Sequence, residues 1–133
     1  MASPKDVEEL KKKFIVDEGT YESERMKDDV DRLLKFCRVT SKGSVLITDA
    51  RLTDKKKVAL VIVARYIGNK LDKKIPEVVN GEEIAVYTKI DQLGVNARVK
   101  EVIDEGFASR EGKGQYKTNP GRITDFLDGI LSK

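Results

Sequence analysis

The stretch "LGVNARVKEVIDEGF", Leu93 to Phe107, decides the fold of this chain. Apolar residues recur in it at spacings of three and four, which is typical of one buried face of a helix. These residues are Val99, Val102 and Ile103. Gly106 stands where such a helix would end, because glycine readily adopts the left-handed backbone that closes a helix. The pattern predicts a helix that ends at Gly106, with Phe107 as an apolar anchor behind it.

A second helix is predicted immediately before this one, from about Glu82 to Gln92. The residues of this segment that we expect to face inward are Val86, Ile90 and Leu93. The next three residues, Leu93-Gly94-Val95, are expected to form a tight turn, since glycine tolerates the backbone angles that a turn requires. Asn96 would then cap the following helix.

The segment "FASREGKGQYKTN", residues 107–119, predicts a β-hairpin with Gly112-Lys113-Gly114 at its tip. A phosphate-binding loop is the alternative, but its pattern demands glycine, four residues, Gly-Lys-Ser/Thr and then a helix. Here five residues separate Gly106 from Gly112, Gly114 takes the Ser/Thr position, and a strand-like segment follows. We therefore expect no nucleotide cofactor and interpret Lys113 as the projecting residue of a hairpin tip.

The segment upstream of the helix pair predicts a long buried helix. Thr53 is a good cap, Asp54 favours the start of a helix, and the run to about Leu71 is apolar nearly all round in its middle. Pro76 forbids a continuous helix through the connector that follows. Val78-Val79 in that connector is a candidate short strand.

The N-terminal part of the chain predicts two helices and a hairpin. Residues 4–16 and about 24–36 carry apolar residues at helical spacing, and Ser23 is a suitable cap for the second helix. The segment "CRVTSKGSVLIT", residues 37–48, predicts a hairpin that turns at Gly43.

The chain ends in "RITDFLDGILSK", which predicts an amphipathic helix. Its apolar face is expected to comprise Ile123, Phe126, Leu127, Ile130 and Leu131. Together these elements predict an α+β fold that is mostly α. We expect an N-terminal region, residues 1–50, and a second region, residues 51–133, which could also form one compact unit.

Composition excludes several classes of site. The 133 residues include no histidine and a single cysteine, Cys37, so histidine general acid–base catalysis, Ser-His-Asp catalysis and structural zinc sites are ruled out. Cys37 follows the apolar stripe of a predicted helix, which indicates a small buried side chain rather than a reactive thiol. The remaining carboxylates and lysines form no convergent set. We therefore expect no enzyme, no metal and no cofactor.

Location is predicted from the same features. One cysteine cannot form an internal disulfide, which suits a reducing compartment. The N-terminal "MASPKDVEELKKK" lacks the apolar core of a signal peptide, and the longest apolar run, Val58 to Ala64, is too short to span a bilayer. We expect a cytoplasmic, soluble protein that makes no membrane contact.

The order helix, short strand, helix, "LGV" turn, helix, glycine and hairpin resembles the winged helix-turn-helix family. The resemblance covers about half of the chain, from roughly Thr53 to Thr118, and rests on "LGVNARVKEVIDEGF" and "SREGKGQYK". It implies a winged helix with an N-terminal helix–helix–hairpin extension and a C-terminal amphipathic helix. In that family the second helix of the pair commonly enters the DNA major groove, and the hairpin, or wing, lies along the backbone or in the minor groove.

The resemblance implies a set of nucleic-acid-binding residues. On the recognition helix they are Asn96, Arg98 and Lys100, with Ala97 among the outward positions, and on the wing they are Ser109, Arg110, Lys113, Tyr116, Lys117 and Thr118. Arg98 would read a guanine edge or bind a phosphate, and Tyr116 would pack or stack. Ser109 and Thr118 would donate to phosphates.

The charge distribution agrees with this assignment to a modest degree. The 26 basic and 23 acidic residues leave a net charge of +3. Residues 1–53 are neutral overall, and the segment 108–122 holds four basic residues and one acidic residue. The positive excess therefore lies in the region of the predicted wing, where binding by counterion release would need it.

The expected function is binding of double-stranded DNA, as a transcriptional regulator or chromatin-associated factor. The excess charge is small, so a homodimer or a protein partner would strengthen the site. The alternatives are a protein–protein interaction module in a larger assembly without direct DNA binding, RNA binding, or a plain surface hairpin whose lysines only solubilise.

Overall fold

The computed structural model describes residues 4–14 and 18–131. The helices in this part of the chain are α1 (Pro4–Phe14), α2 (Glu18–Leu33), α3 (Asp54–Leu71), α4 (Gly81–Thr88), α5 (Gln92–Asp104) and α6 (Ile123–Leu131). A 3₁₀ turn, Pro120–Arg122, precedes α6. The strands are β1 (Cys37–Val39), β2 (Val45–Ile47), β3 (Val79–Asn80), β4 (Ala108–Gly112) and β5 (Gln115–Thr118). The predicted class, α+β and mostly helical, is confirmed.

Two small antiparallel sheets accompany the helices. The first is the predicted hairpin β1–β2, in which Arg38 pairs with Leu46 and Gly43 turns the chain with φ of +92°. The second has the order β3-β5-β4, so that the last strand in the sequence lies in the middle. Val79 pairs with Tyr116 on one side of β5, and Ala108 pairs with Thr118 on the other.

Helix α3 is the centre of the fold, as predicted. Every residue from Val58 to Gly68 is buried, so the helix is covered on all sides. Thr53 caps it, since its hydroxyl accepts the backbone N–H of Lys56 at 3.3 Å. The tight approach to Val39 and Ile75 explains the glycine at position 68, where a Cβ would lie 3.3 Å from the Val39 side chain.

One hydrophobic core crosses the boundary that the sequence suggested near residue 50. Leu33, Phe36 and Val45 pack in the same buried cluster as α3 and α6. An ion pair between Arg32 and Asp128, 2.8 Å apart, also joins α2 to α6. The N-terminal elements therefore pack on the core of the C-terminal region.

The predicted break between the first two helices is wrong over most of its length. Helix α2 begins at Glu18 and ends at Leu33, so Ser23 lies inside the helix and is not its cap. The glycine and polar residues of the segment did not interrupt it, because one glycine costs a helix only about 1 kcal/mol. The end predicted for the first helix, residues 15–16, lies outside the described residues.

The helix pair was predicted, but its turn lies earlier than expected. Helix α4 stops at Thr88, and Lys89 takes the left-handed backbone with φ of +62°. Asp91 caps α5, since its carboxylate accepts the backbone N–H of Gly94 at 2.7 Å. Leu93-Gly94-Val95 is therefore the first turn of α5, and Asn96 lies within the helix instead of capping it. Aspartate and asparagine cap equally well, so the earlier candidate was available.

This shift changes which side chains face the core. Val86 and Leu93, predicted to be inward, are 71% and 82% exposed. Ile84 and Val95 are fully buried in their place, and Ile90 packs on the core as predicted.

The end of α5 matches the prediction in detail. Gly106 has φ of +85°, and its N–H donates to the Ile103 carbonyl at 2.9 Å. The N–H of Phe107 donates to the Val102 carbonyl at 3.1 Å, which completes a Schellman motif. Phe107 then packs edge-on against Phe126 of α6, with the ring centres 5.8 Å apart.

Predictions were also made for the short strand, for the apolar face of the terminal helix and for membrane-spanning segments. The short strand occurs at Val79–Asn80, one residue later than the candidate at Val78-Val79. Of the apolar residues predicted for the terminal helix, those whose side chains are described are buried: Ile123, Phe126 and Leu127. The side chains of the other two, Ile130 and Leu131, lie outside the described part. Within residues 4–14 and 18–131, no helix has the length and apolar character to cross a bilayer.

Candidate nucleic-acid interface

The start of α4, the first half of α5 and the tip of the β4–β5 hairpin meet at one place. The N–H of Gly81 donates to the carbonyl of Gly114 at the hairpin tip, at 3.1 Å. A Cβ at Gly81 would lie 2.9 Å from Nε2 of Gln92 and 4.0 Å from Oδ1 of Asn96. The Gln92 side chain of α5 and the hairpin tip therefore both approach the start of α4 at Gly81.

Helix α5 exposes one continuous stripe along its outer side. The stripe contains Gln92, Leu93, Asn96, Ala97, Lys100 and Asp104, all of them exposed. The opposite side carries Val95, Val99 and Val102, which are buried. Because a helix turns 100° per residue, Leu93, Asn96, Ala97, Lys100 and Asp104 fall within about 100° of one another, and Gln92 in the first turn lies at the edge of this stripe. We call these six residues the α5 stripe.

Two amides lie side by side on this stripe. Nε2 of Gln92 donates to Oδ1 of Asn96 at 3.0 Å. Asn96 was predicted at the interface and is exposed there, although its predicted use as a cap is wrong. Lys100 follows one turn later and forms no ion pair with any residue in the described ranges.

Arg98 does not lie on the α5 stripe. Its guanidinium contacts Glu101 at 2.9 Å, and the two side chains are 38% and 44% exposed. Its Nε is buried and has no hydrogen-bond partner among the described residues. Arg98 was predicted to point outward, and its partly exposed side chain lies along the flank of the helix against the following turn, off the α5 stripe.

The hairpin has the predicted shape, with the tip formed by Lys113 and Gly114. Gly114 has φ of +71°, a backbone conformation that favours glycine, and Lys113 is exposed. The register shifts by one residue between Arg110 and Gly112, so Glu111 forms a β-bulge. We call this hairpin, residues 108–118, the wing.

The two cations on the arms of the wing point to opposite faces. Arg110 is exposed and lies over the Tyr116 ring, 5.9 Å from its centre. Ser109 pairs with Lys117 on the other face, since successive residues of a strand alternate between faces. Lys117 is held there by Glu77 at 3.4 Å and by Glu111 at 4.0 Å. Arg110 is thus the more available cation of the two.

Tyr116 and Thr118 were predicted to contact nucleic acid, and the structure places both in the interior. Tyr116 is 6% exposed and pairs with Val79 of β3, so its ring cannot stack on a base. Thr118 is 1% exposed, and its hydroxyl donates to the Phe107 carbonyl at 3.1 Å. Both residues fasten the wing to the helices.

Some exposed residues of this surface were missed by the sequence reasoning. They are Lys89, Gln92 and Leu93, and each is exposed because the turn of the helix pair lies earlier than expected. Asp91 carried the missing signal, since aspartate is among the preferred N-cap residues.

A buried arginine in α3 positions the helix pair. Arg65 is 1% exposed, and its guanidinium donates to the carbonyls of Gly43 at 2.8 Å and Val78 at 3.0 Å. It also forms an ion pair with Glu83 of α4 and lies 3.3 Å from the Tyr87 hydroxyl. The first-turn carboxylate of α4 is thereby tied to the central helix.

The same glutamate completes the start of α4. The Asn80 side chain accepts the N–H of Glu83 at 2.8 Å, and the Glu83 carboxylate accepts the N–H of Asn80 at 3.2 Å. This capping box holds the end of α4 against which the wing tip rests.

The exposed charges of this surface nearly balance, since its cations and acids are similar in number. The exposed cations near the helix pair and wing tip are Lys89, Lys100, Arg110 and Lys113. The exposed acids of the same elements are Glu82, Asp91, Asp104 and Glu111, of which Asp91 is engaged as a cap. Among the described residues, no group of three or more acidic or cysteine side chains could hold a metal ion.

Comparison of the chain with protein-family models, with curated proteins and with solved structures gives no match. Function must therefore be argued from the surface itself.

Proposed function

We propose that residues 54–118 form a winged helix that binds double-stranded DNA, with α5 as its recognition helix. The order α3-β3-α4-α5-β4-β5 and the sheet order β3-β5-β4 support this reading. The observation that carries the proposal is the junction of the α5 stripe with the wing tip at Gly81. It sets a polar helix face and a cationic hairpin side by side, as groove and backbone contacts require.

In this proposal the exposed cations of the surface bind phosphates, and the amide side chains approach the bases. Lys100, Arg110 and Lys113 are exposed and contact phosphates, which supplies affinity without sequence information. The first turns of α5 carry the shorter polar side chains Gln92 and Asn96, which approach base edges. Lys117 is paired with two glutamates and contributes little.

A salt series on duplex DNA tests the proposal. The full chain is compared with the triple variant Lys100→Ala, Arg110→Ala, Lys113→Ala by fluorescence anisotropy on mixed-sequence duplex. Each lost phosphate contact lowers the log–log salt slope by about 0.9, so we expect a decrease of roughly 2 to 3. The matched control removes three cations outside residues 54–118, namely Lys27, Lys35 and Arg51, and should leave the slope unchanged. Absence of binding by the wild type at low salt would reject the proposal.

A homodimer belongs to the same proposal, because two copies would offset the modest charge of one site. Helix α1 exposes Val7, Leu10 and Phe14, at 44%, 59% and 89%. These side chains follow helical spacing and supply an apolar contact between copies. Sedimentation equilibrium over a range of protein concentrations tests it, and a monomer at every concentration would contradict it.

A protein-binding module is the second candidate function, and one observation favours it. Leu46, Val86 and Leu93 are large apolar side chains that are more than half exposed, at 53%, 71% and 82%. Exposed apolar groups that lie together mark protein contacts, and these three side chains stand on neighbouring elements, since α4 packs against both β2 and α5. Co-purification of a stoichiometric partner together with absence of DNA binding would select this candidate.

A further inference from the structure

We infer that the α5 stripe reads A·T base pairs in the major groove through Gln92, Leu93, Asn96 and Ala97. This inference rests on the proposed DNA binding and specifies the base pairs that the helix recognises. It is drawn from the chemistry of the side chains that α5 exposes in its first two turns.

The polar pair of the stripe matches adenine. A glutamine or asparagine amide has one donor and one acceptor in a plane, which fits N7 and the N6 amino group of adenine in a bidentate contact. Gln92 and Asn96 are both exposed and lie within hydrogen-bond distance of each other, 3.0 Å apart. The hydrogen bond between Gln92 and Asn96, which are one helical turn apart, keeps the two amides side by side. Either amide can therefore turn towards a base while the other holds it in position.

The apolar pair of the stripe matches thymine. Leu93 and Ala97 are also one turn apart, beside the two amides, and both are exposed. The thymine 5-methyl group is the one apolar feature that base edges present in the major groove. Leu93, at 82% exposure, is the most exposed large apolar residue of the helix pair, and a methyl group would remove part of that surface from water.

The first two turns of α5 place no arginine or lysine side chain where it could read guanine. Guanine is read most often by arginine or lysine, which donate to O6 and N7. Arg98 is directed along the flank of α5 and paired with Glu101 at 2.9 Å. Lys100 lies in the third turn, whereas the N-terminal residues of a recognition helix are the ones that reach base edges. The exposed side chains of the first two turns therefore favour A·T over G·C.

Three pools of duplexes with identical flanks test this inference with the full chain. The central positions of the pools are randomised over A and T, over G and C, or over inosine and C. Inosine·C presents the guanine pattern in the major groove but lacks the minor-groove amino group, as A·T does. We expect the A·T pool to bind on the order of tenfold more tightly than the G·C pool, with the inosine pool behaving as G·C.

Thymine methyl groups are then removed by replacing T with deoxyuridine in the A·T pool. Wild type should lose about threefold in affinity, as expected for one or two methyl contacts. Leu93→Ala should lose most of the difference between the two pools, with only the Ala97 contact left, while the matched variant Val86→Ala, an exposed apolar residue of α4, should keep the wild-type difference. Asn96→Ala should reduce the preference for the A·T pool over the G·C pool.

The outcomes separate this inference from the function on which it rests. Equal binding to the A·T and G·C pools, with the normal salt dependence, overturns base reading by α5 and leaves DNA binding intact. An inosine pool that binds like A·T overturns it too, because the preference would then come from the minor groove or from DNA shape. Loss of all binding in every pool at low salt rejects the proposed function itself.

Discussion

Replacement of the buried Arg65 by methionine should be one of the most destabilising single changes in the chain. The substitution retains an unbranched side chain of similar length but removes the guanidinium, which donates to Gly43 and Val78 and pairs with Glu83. These two carbonyls and that of Pro76 lose a donor, and Glu83 loses its cation. Truncating one partner of a buried ion pair typically costs about 3 to 5 kcal/mol.

The lower end of that range applies here. The Glu83 side chain is 32% exposed, so its carboxylate can recover contacts with water, whereas the arginine side chain is 1% exposed. We expect a loss of about 3 kcal/mol in the free energy of unfolding. For a urea dependence of about 1.5 to 2 kcal/mol per M, the midpoint would fall by roughly 1.5 to 2 M.

Urea unfolding followed by circular dichroism measures this shift, with Arg51→Met as the matched control. Arg51 also pairs with an aspartate, but it is 92% exposed, and its loss should leave the midpoint unchanged. An Arg65→Met midpoint within error of the wild type would refute the reasoning. Such a result would mean that the hydration lost on burying the Arg65 guanidinium costs as much free energy as its hydrogen bonds and ion pair contribute. Some buried ion pairs behave in this way.

The remaining predictions concern a thiol, the wing tip and the flank of α5. Burial raises the pKa of the Cys37 thiol to about 12, so a thiol reagent at pH 8 should label the folded chain far more slowly than the urea-unfolded chain. The unfolded thiol loses its proton near pH 8.5, so this residue's part of the stability should fall as pH rises from about 8.5 towards 12, and Cys37→Ala should abolish that part in pH-dependent unfolding. Gly114→Ala should lower stability by about 1 kcal/mol because φ is +71° there, whereas Gly114→Asn should be better tolerated; thermal unfolding compares the two. Arg98→Ala should leave the preference between A·T and G·C pools unchanged, since that side chain lies off the α5 stripe, and relaxed preference in the pool assay would contradict its placement.

Patterns confined to a few neighbouring residues were predicted well. The close of α5 at Gly106, the turn at Gly43 and the cap at Thr53 follow from backbone freedom and from hydrogen bonds within a few residues. The hairpin that we call the wing was also located correctly. A Gly-Lys-Gly sequence between two strand-like segments is compatible with few structures other than a hairpin turn. The fully buried α3 followed from an apolar run too long for a strand.

The site was predicted less well, and the reason is competition between similar local signals. Asp91 and Asn96 were both suitable caps, and the choice between them moved the start of α5 by several residues. That choice decided whether Leu93 faces the core or the solvent. The packing of Ile84 and Val95 settles it, because these residues fill the interior that Val86 and Leu93 would otherwise occupy.

The sequence by itself determined the class of fold, the central helix and the positions of both hairpins, since these depend on hydrophobic periodicity and glycine backbone angles. Only the tertiary structure decided which polar residues are available to a ligand. Thr118 and Tyr116 are polar residues in a cationic hairpin, yet they are buried, because the partner strand and Phe107 lie above them. Arg65 lies inside an apolar run of the sequence. It links several elements because its guanidinium, which carries five N–H donors, bonds carbonyls and a carboxylate from segments far apart in the chain. Contacts between residues far apart in the sequence decide how exposed a side chain is and which groups it pairs with. A local sequence pattern does not contain these contacts.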